Sequence, residues 1–186
     1  MDRCKEVAIK NAFVKSSVIM IYGAAGTGKT TLMDYLSSLM EGRSKLFLTK
    51  THTALENLRR RINAPGQNSV FSGIDRIVRS NNPINYDLVF VDECSTIDNR
   101  TMVRLLNKIN DNALLVLAGD IYQIESIDFG NWFFYAKDIL PSKAVVELNS
   151  TWRTEDENIK SLWEEVRFKK QLITEKLVID GLFLKI

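Results

Sequence analysis

The chain has 186 residues, of which 45% are hydrophobic and 26% are charged, and its formal net charge is +2. This size and composition are typical of one soluble globular domain with a small appendage, whose core needs no disulfide or metal for stability. The small net charge neither indicates nor excludes a nucleic-acid partner.

The two cysteines, Cys4 and Cys94, and the single histidine, His52, are far apart in the sequence. Their number and spacing argue against a disulfide framework and a zinc site, which favours a reducing, cytoplasmic setting. The N-terminal segment MDRCKEVAIKNAF is charged and amphipathic and has no signal-peptide core. Because no apolar run approaches membrane-spanning length, we expect no membrane partner.

Five short apolar runs predict strands, at residues 18–22, 46–48, 88–91, 114–118 and 145–148. Each run is continuous rather than alternating, which is typical of a parallel sheet covered on both faces. Segments between them predict helices at residues 30–40, 54–62 and 102–109. Polar loops are predicted at residues 66–69 and 80–85. This alternation of strands and helices predicts an α/β fold with a doubly wound parallel sheet and helices on both faces.

The pattern of apolar and charged residues changes after residue 153. Residues 154–170 predict a charged helix with Thr154 as its cap, and LVIDGLFLKI at residues 177–186 places Asp-Gly between apolar residues, which favours a hairpin. We assign residues 1–153 to one domain and residues 154–186 to a C-terminal helix and hairpin. This appendage is either packed onto the domain or the start of a second, interrupted domain.

The segment GAAGTGKT, from Gly23 to Thr30, matches the complete P-loop pattern GxxxxGK[ST] between a predicted strand and a predicted helix. Glycines let successive backbone N–H groups point at phosphate oxygens, and the following helix adds its positive end. Lys29 is expected to reach the outer phosphates, and Thr30 to supply a hydroxyl to Mg²⁺. The alternative is a structural glycine turn. The predicted nucleotide-binding residues of this segment are Gly23, Ala24, Ala25, Gly26, Thr27, Gly28, Lys29, Thr30 and Thr31.

Two further strands end on polar residues. Asp92 and Glu93 follow the strand at residues 88–91; Asp92 is expected to hold Mg²⁺ and Glu93 to polarise the attacking water as a general base. Alternatively, the acidic pair is solvated or caps a helix. The strand at residues 114–118 leads to Gln123, whose amide is expected to contact the γ-phosphate or the water. The alternative for Gln123 is an exposed turn residue.

The ordered set GAAGTGKT, LTKTHTALENL, VFVDECSTID, LAGDIYQI and ELNSTWRT resembles the first RecA-like domain of a superfamily 1 helicase. The order and spacing match motifs I, Ia, II, III and IV over about residues 5 to 154. Within the superfamily, THTALENL is similar to the branch with the RNA-surveillance helicases and the RecD-type DNA helicases.

This resemblance implies ATP and Mg²⁺ as cofactors, with Lys29, Glu93 and Gln123 acting in hydrolysis. Arg153 matches the motif IV arginine that contacts the γ-phosphate, a task that suits a fixed guanidinium fork; the alternative is an ordinary surface arginine. The implied partners are single-stranded DNA or RNA and a second RecA-like domain, in a longer chain or a partner.

Motif Ia residues Thr51, His52 and Thr53 are implied to contact the backbone of single-stranded nucleic acid. Thr51 or Thr53 could also cap the helix at residues 54–62, and the two roles are compatible. Two groups of basic residues are present: residues 59–61, and the pair Arg76 and Arg79. They either line a groove that binds single-stranded nucleic acid or lie on solvated helix faces. The aromatic cluster at residues 132–135 either stacks on nucleic-acid bases or packs in the hydrophobic core, and we favour packing in the core.

Three departures from the family pattern matter. Lys5, in KEVAIKNA, replaces a glutamine that reads adenine, which leaves ATP or GTP preference open. Motifs V and VI of the second domain are absent, so we expect slow hydrolysis and no sustained unwinding by this chain alone. The numbers of residues between consecutive motifs leave no room for a large inserted domain. The alternatives are a stand-alone P-loop ATPase without a nucleic-acid partner and a degenerate helicase domain kept for binding.

Overall fold

The computed structural model describes residues 17–63, 68–122 and 130–148. These residues form six strands: β1 (Val18–Gly23), β2 (Lys45–Thr49), β3 (Ser69–Gly73), β4 (Leu88–Val91), β5 (Leu114–Gly119) and β6 (Val145–Leu148). They also form five α-helices: α1 (Lys29–Leu39), α2 (His52–Arg61), α3 (Ile74–Arg79), α4 (Asn99–Leu106) and α5 (Trp132–Ile139). Two 3₁₀ turns span Cys94–Thr96 and Ser142–Ala144.

The six strands form one sheet in the order β3-β2-β4-β5-β1-β6, and every pairing is parallel. Strand β1 lies between β5 and β6, and β4 lies between β2 and β5. This arrangement confirms the predicted α/β parallel sheet. Because all strands run in one direction, the loops that follow them gather at one edge of the sheet.

Two hydrophobic cores cover the two faces of this sheet. The first includes Leu36 of α1 and Leu58 of α2. The second includes Met102 of α4 and Phe133 of α5. Every residue of β2 and β4 is buried, which explains why these strands are continuous apolar runs rather than alternating ones. The prediction of helices on both faces is therefore confirmed.

Strand β3, with the sequence SVFSG, was not predicted, and the loop predicted at residues 66–69 overlaps its first residue. It is an edge strand, and its Val70 side chain is 42% exposed. An edge strand needs no continuous apolar run, because one of its sides and part of its surface face solvent. The prediction of five strands was therefore wrong by one.

Helices α3 and α5 were also not predicted. Helix α3 is only six residues long, too short for an amphipathic repeat to be visible. Helix α5 contains the aromatic cluster at residues 132–135. Phe133 is 2% exposed in the second core, whereas Tyr135 is 58% exposed. The favoured core-packing interpretation therefore holds for Phe133 and not for Tyr135.

Each of the three predicted helices exists but begins one to three residues earlier than predicted. Two caps explain the difference, because the Thr51 Oγ1 accepts a hydrogen bond from the Ala54 N–H (3.1 Å) and the Asp98 Oδ1 accepts one from the Thr101 N–H (2.8 Å). The capping role considered for Thr51 is thus present. The predicted helix and hairpin after residue 153 lie outside the described residues, as does Lys5.

Asp87 joins the start of β4 to the residue before β2. Its Oδ2 accepts hydrogen bonds from the Ser44 N–H (2.8 Å) and the Ser44 hydroxyl (2.7 Å), and its own N–H donates to the Ser44 Oγ (3.0 Å). The hydrogen bonds from Ser44 hold the pKa of the Asp87 carboxyl below its usual range. These bonds favour the charged carboxylate and fix the relative position of the two strands.

We expect Asp87→Ala to lower the melting temperature at pH 7 and to remove a pH dependence that the wild type has. Because the folded pKa of Asp87 is lowered, its stabilisation is present above the unfolded pKa of about 4 and is lost as the pH falls through the folded pKa. Thermal unfolding from pH 2 to 8 tests this, with exposed Asp111→Ala as the control. Equal melting temperatures of Asp87→Ala and the wild type at pH 7 would contradict it.

Candidate nucleotide-binding site

The predicted site residues of the described chain lie at the carboxyl edge of the sheet. Gly23 is the last residue of β1, Asp92 follows β4, and Lys50 and Thr51 follow β2. Crevices outside the carboxyl ends of parallel strands are where open α/β sheets bind ligands. The strand order places the motif II acids between the P-loop on one side and the motif Ia segment on the other.

The P-loop has a backbone that requires glycine. Gly26 and Gly28 have φ angles of 84° and 91°, in the left-handed region that side chains disfavour. A Cβ on Gly23 would lie 2.5 Å from the Leu148 carbonyl oxygen and 2.8 Å from the Thr27 Oγ1. The Thr27 hydroxyl is buried and donates to the Ala24 carbonyl (2.9 Å), which holds the loop closed on itself.

Helix α1 begins at Lys29, directly after this loop, and its first turn contains no acidic residue. The Lys29 Nζ donates to the carbonyl oxygens of Gly23 (2.6 Å) and Ala24 (2.9 Å). The positive end of a helix and an ammonium group therefore meet at one curled loop, which is the donor set that phosphate oxygens need. These residues fit a nucleoside triphosphate.

Asp92 and Glu93 are both partly buried. Burial raises the pKa of Asp92 above its usual range, although the Glu93 N–H and the charges of Lys29 and Arg61 act to lower it. Burial also raises the pKa of Glu93, Asp92 raises it further, and Lys29 lowers it. The charge of Lys29 thus favours the ionised form of both carboxyls. The P-loop and the two acids follow parallel strands and lie at the same edge of the sheet.

Glu93 is the only non-glycine residue with a positive φ in the part of the chain that the structure describes, with φ 56° and ψ 37°. Such a backbone costs on the order of 1–3 kcal/mol and clusters at functional sites. Three hydrogen bonds hold it: the Thr96 N–H and hydroxyl donate to the Glu93 carbonyl (2.9 and 2.8 Å), and the Glu93 N–H donates to the Asp92 Oδ1 (2.9 Å). The acidic turn is therefore a fixed, strained element.

The end of β5 is tightly packed. A Cβ on Gly119 would lie 2.6 Å from the Phe133 Cε1, so the ring lies directly against the backbone. The buried Asp120 accepts a hydrogen bond from the Tyr122 N–H (2.9 Å) and shapes the turn that follows. Gln123 and Arg153 lie outside the described residues, so their roles remain predictions.

Thr51, His52 and Thr53 are exposed at the start of α2. Thr51 and His52 line a groove of about 430 Å³, whose other lining residues include Lys50, Arg59, Phe71 and Arg76. Thr53 is not among the lining residues. The structure thus brings two of the three motif Ia residues together with basic side chains and one aromatic ring.

The two basic groups considered from the sequence divide between the groove and other surfaces. Arg59 and Arg76 line the groove, whereas the exposed Arg60, Arg61 and Arg79 do not. The Arg59 guanidinium donates to the Phe71 carbonyl (3.3 Å), lies 5.9 Å from the centre of the Phe71 ring and pairs with Glu56 (3.2 Å). Arg61 instead acts on the pKa of Asp92, a relation that the sequence did not suggest.

In the sequence, Trp132 stands out only as part of the aromatic cluster, and Lys50 and Asp98 have no predicted role. Lys50 forms an ion pair with Asp98 (3.7 Å), and the Trp132 Nε1 donates to the Ile97 carbonyl (2.7 Å). Each contact joins residues more than thirty positions apart, so no local pattern could reveal it. The only available signal was the position of Lys50 within LTKTHTALENL and of Asp98 at the end of VFVDECSTID. Separately, none of the helices in the described ranges is long and apolar enough to cross a membrane.

A parallel sheet with a P-loop after β1 and an acidic pair after β4, at the same edge of the sheet, defines a RecA-like domain of the P-loop NTPase class. The sequence profile of the AAA domain family matches residues 5–177, so the chain belongs to this family.

Known proteins with similar sequences point the same way. The chain is 28% identical over 203 residues to an uncharacterized protein of Methanocaldococcus jannaschii, covering 86% of this chain and 17% of that protein. It is 27% identical over 163 residues to the RecD subunit of the RecBCD enzyme of Haemophilus influenzae, covering 68% of this chain and 24% of the subunit. The chain therefore spans less than a quarter of the length of these curated relatives.

Solved structures show the same fold. Bacteroides Pif1 bound to single-stranded DNA matches with a TM-score of 0.65 at 16% identity, over 96% of this chain and 49% of that one. Pif1 helicase from Bacteroides in complex with ADP-AlF3 and single-stranded DNA matches with a TM-score of 0.63 at 16% identity, over 95% and 48%. Taken together, these comparisons confirm the resemblance to the RecA-like domain of superfamily 1 helicases.

We expect Glu93→Gln to raise the melting temperature near pH 8 in the absence of nucleotide. Because the folded pKa of Glu93 is raised, the charged carboxyl destabilises the fold above that pKa, and the cost disappears below the unfolded pKa of about 4.3. Thermal unfolding from pH 4 to 8 should therefore show a gain at high pH that vanishes at low pH. Exposed Glu56→Gln, which removes the same charge, should show no gain; an equal gain in both variants would contradict the expectation.

Proposed function

We propose that this chain is the ATP-binding and ATP-hydrolysing first RecA-like domain of a superfamily 1 helicase motor. It couples hydrolysis of Mg-ATP to the binding and translocation of single-stranded nucleic acid. The observation that carries this proposal is the parallel strand order, which places the P-loop after β1 and the acids Asp92 and Glu93 after β4 at one edge of the sheet, the edge at which the groove also lies.

The residues divide the chemistry as follows. The backbone of the loop from Gly23 to Thr30 and the Lys29 ammonium bind the phosphates. Thr30 and Asp92 hold Mg²⁺, which neutralises charge on the phosphate oxygens when it is bound. Glu93 orients the attacking water and accepts its proton, and its raised pKa makes it a stronger base than an exposed glutamate.

Two more polar groups complete the proposed chemistry. Gln123 contacts the γ-phosphate or the attacking water, and Arg153 stabilises the charge that spreads over the phosphate oxygens during transfer. Both assignments rest on the resemblance of LAGDIYQI and ELNSTWRT to helicase motifs. The proposed nucleotide site is thus assembled from four separate strand ends.

The groove beside motif Ia is the proposed nucleic-acid contact. Thr51 and His52 of the groove donate to phosphodiester oxygens, and Arg59 and Arg76 add positive charge along the same surface. Thr53, which does not line the groove, is assigned the same role only from the resemblance to motif Ia. The Pif1 structures with single-stranded DNA support a nucleic-acid track for this fold. Contacts of this kind bind the backbone without recognising base sequence.

The proposed division of the chain rests on the change in sequence pattern after residue 153. The chain spans about half the length of the similar Pif1 chains. Residues 1–153 form one RecA-like domain, and residues 154–186 begin a second part of the motor. A second RecA-like domain, in a longer chain or in a partner, completes the cleft. Cys94, buried and free, suits the proposed cytoplasmic location.

Lys29→Ala should abolish nucleotide binding, because it removes the ammonium that is proposed to bind the outer phosphates. Glu93→Gln should keep nucleotide binding and lower the hydrolysis rate by a factor of about 10² or more, as expected for loss of a general base. Fluorescent-nucleotide titration and phosphate release measure the two steps, with exposed Lys143→Ala as the control. Normal hydrolysis by Glu93→Gln would remove Glu93 from the mechanism.

Single-stranded DNA or RNA should accelerate ATP hydrolysis by the 186-residue chain, whereas a duplex-unwinding assay should show no sustained activity. The reason is that one RecA-like domain supplies only half of the nucleotide cleft. Turnover is measured with and without oligo-dT and oligo-U, and with duplex DNA as the comparison. No response to either single strand would favour a stand-alone ATPase, and robust unwinding would contradict the need for a second domain.

A further inference from the structure

The ion pair between Lys50 and Asp98 joins the two halves of the proposed site. Lys50 follows β2 and Asp98 lies a few residues after β4, and these two strands are neighbours in the sheet. The Lys50 Nζ lies 3.7 Å from the Asp98 Oδ2, with 27% and 15% of the two side chains exposed. Because the pair is partly buried, it is screened less by salt than a fully exposed pair.

The Asp98 end of the pair is fixed to the acidic turn. The Asp98 Oδ1 accepts from the Thr101 N–H and begins α4, and the carbonyl of the preceding Ile97 accepts from the Trp132 indole. The Ile97 N–H donates to the Cys94 carbonyl (3.2 Å), within the turn that starts at Glu93. Hydrogen bonds within this turn and five residues of chain thus connect the Asp98 carboxylate with the backbone of Glu93.

The Lys50 end of the pair lies in the groove. Lys50 is a lining residue there, together with Arg59 and Arg76. A lysine ammonium has three donors on a flexible stem, so it can bond to a carboxylate or to a phosphodiester. The acidic side chains that also line this groove are Glu56 and Asp75, and Glu56 pairs with Arg59. A phosphodiester bound in this groove would therefore compete with Asp98 for the Lys50 ammonium.

We propose that Lys50 and Asp98 are the positioning residues through which a single strand in the groove controls hydrolysis, an inference that rests on the proposed function. When no nucleic acid is bound in the groove, Lys50 forms its ion pair with Asp98. A phosphodiester in the groove attracts the Lys50 ammonium and releases Asp98, which changes the constraint on the turn that carries Glu93. By thermodynamic linkage, the state of this turn then also changes the affinity for the strand.

Two substitutions separate this mechanism from a merely structural ion pair. Lys50→Met and Asp98→Asn both remove the pair before any strand binds, so strand binding can no longer change it. Asparagine remains a good helix cap, so Asp98→Asn keeps the bond to Thr101. The affinity for the strand should move in opposite directions, because Lys50→Met loses a phosphate contact and Asp98→Asn leaves Lys50 free to make one.

In the 186-residue chain, we expect the ratio of strand-stimulated to basal ATP hydrolysis to fall at least about fivefold in both variants, the lower end of typical allosteric coupling. Fluorescence anisotropy with labelled oligo-dT and oligo-U should show weaker binding for Lys50→Met and tighter binding for Asp98→Asn. For Lys50→Met, the slope of log affinity against log salt should shrink by about 0.7, as for one lost phosphate contact on a single strand.

The controls use a second ion pair, outside the groove, and a conservative variant. Lys137 pairs with Asp138 on α5, with 24% and 63% of the two side chains exposed. Because neither residue lines the groove, Lys137→Met and Asp138→Asn should leave stimulation and affinity at wild-type values. Lys50→Arg keeps the positive charge and should restore most of the stimulation. Circular dichroism and the melting temperature of each variant show that it is folded.

The outcomes distinguish this inference from the proposed function. If neither oligo-dT nor oligo-U stimulates the wild type, the proposed function itself fails. If the wild type is stimulated and both variants are stimulated equally well, only the role of Lys50 and Asp98 is overturned. If both variants weaken strand binding to the same extent, the pair is structural and the inference is likewise overturned.

Discussion

The balance of charge between the Lys29 ammonium and the carboxyls of Asp92 and Glu93 is the constraint on which the rest of the structure depends. Burial raises the pKa of both acids, and the charge of Asp92 raises that of Glu93 further, so the charged pair costs free energy. Lys29 offsets part of this cost. Because Lys29 follows β1 and the acids follow β4, with β5 between them, the offset exists only while the sheet holds three strands in register. The two cores on its faces therefore serve the site directly.

Elements without any proposed site residue are tied to the site by close backbone packing. Leu148 of β6 lies against Gly23 at the start of the P-loop, and Phe133 of α5 lies against Gly119 at the end of β5. A methyl group at either glycine would meet atoms at 2.6 Å or less, so each contact requires glycine. The positions of β6 and α5 are thus part of what shapes the two loops, although the chemistry is carried by other residues.

The sequence predicted the elements whose signal is local. GAAGTGKT, the acids after a continuous apolar strand and the covered parallel sheet each depend on a short stretch of residues, and each was found where expected. Strand β3 was missed because SVFSG is an edge strand with few apolar residues. The ion pair of Lys50 with Asp98 was missed for a different reason: it is created by the neighbouring positions of β2 and β4, which only the strand order determines. Sequence patterns therefore locate the chemistry, and topology determines which parts of it can interact.

The order of the β-strands also explains how, in the proposed mechanism, the turn at Glu93 can respond both to nucleotide and to single-stranded nucleic acid. Strand β4 lies between β2, which leads into the groove, and β5, which separates it from the P-loop strand. Glu93 therefore lies two residues after the end of a strand that is bonded on both sides, and the Asp92 N–H donates directly to the Leu48 carbonyl of β2 (2.9 Å). A left-handed backbone at Glu93 stores strain at this junction. A small change in what holds the turn can shift such an element between arrangements, because packed cores respond in discrete steps rather than by smooth deformation. The groove and the phosphate loop need no direct contact, since both act on the same short turn.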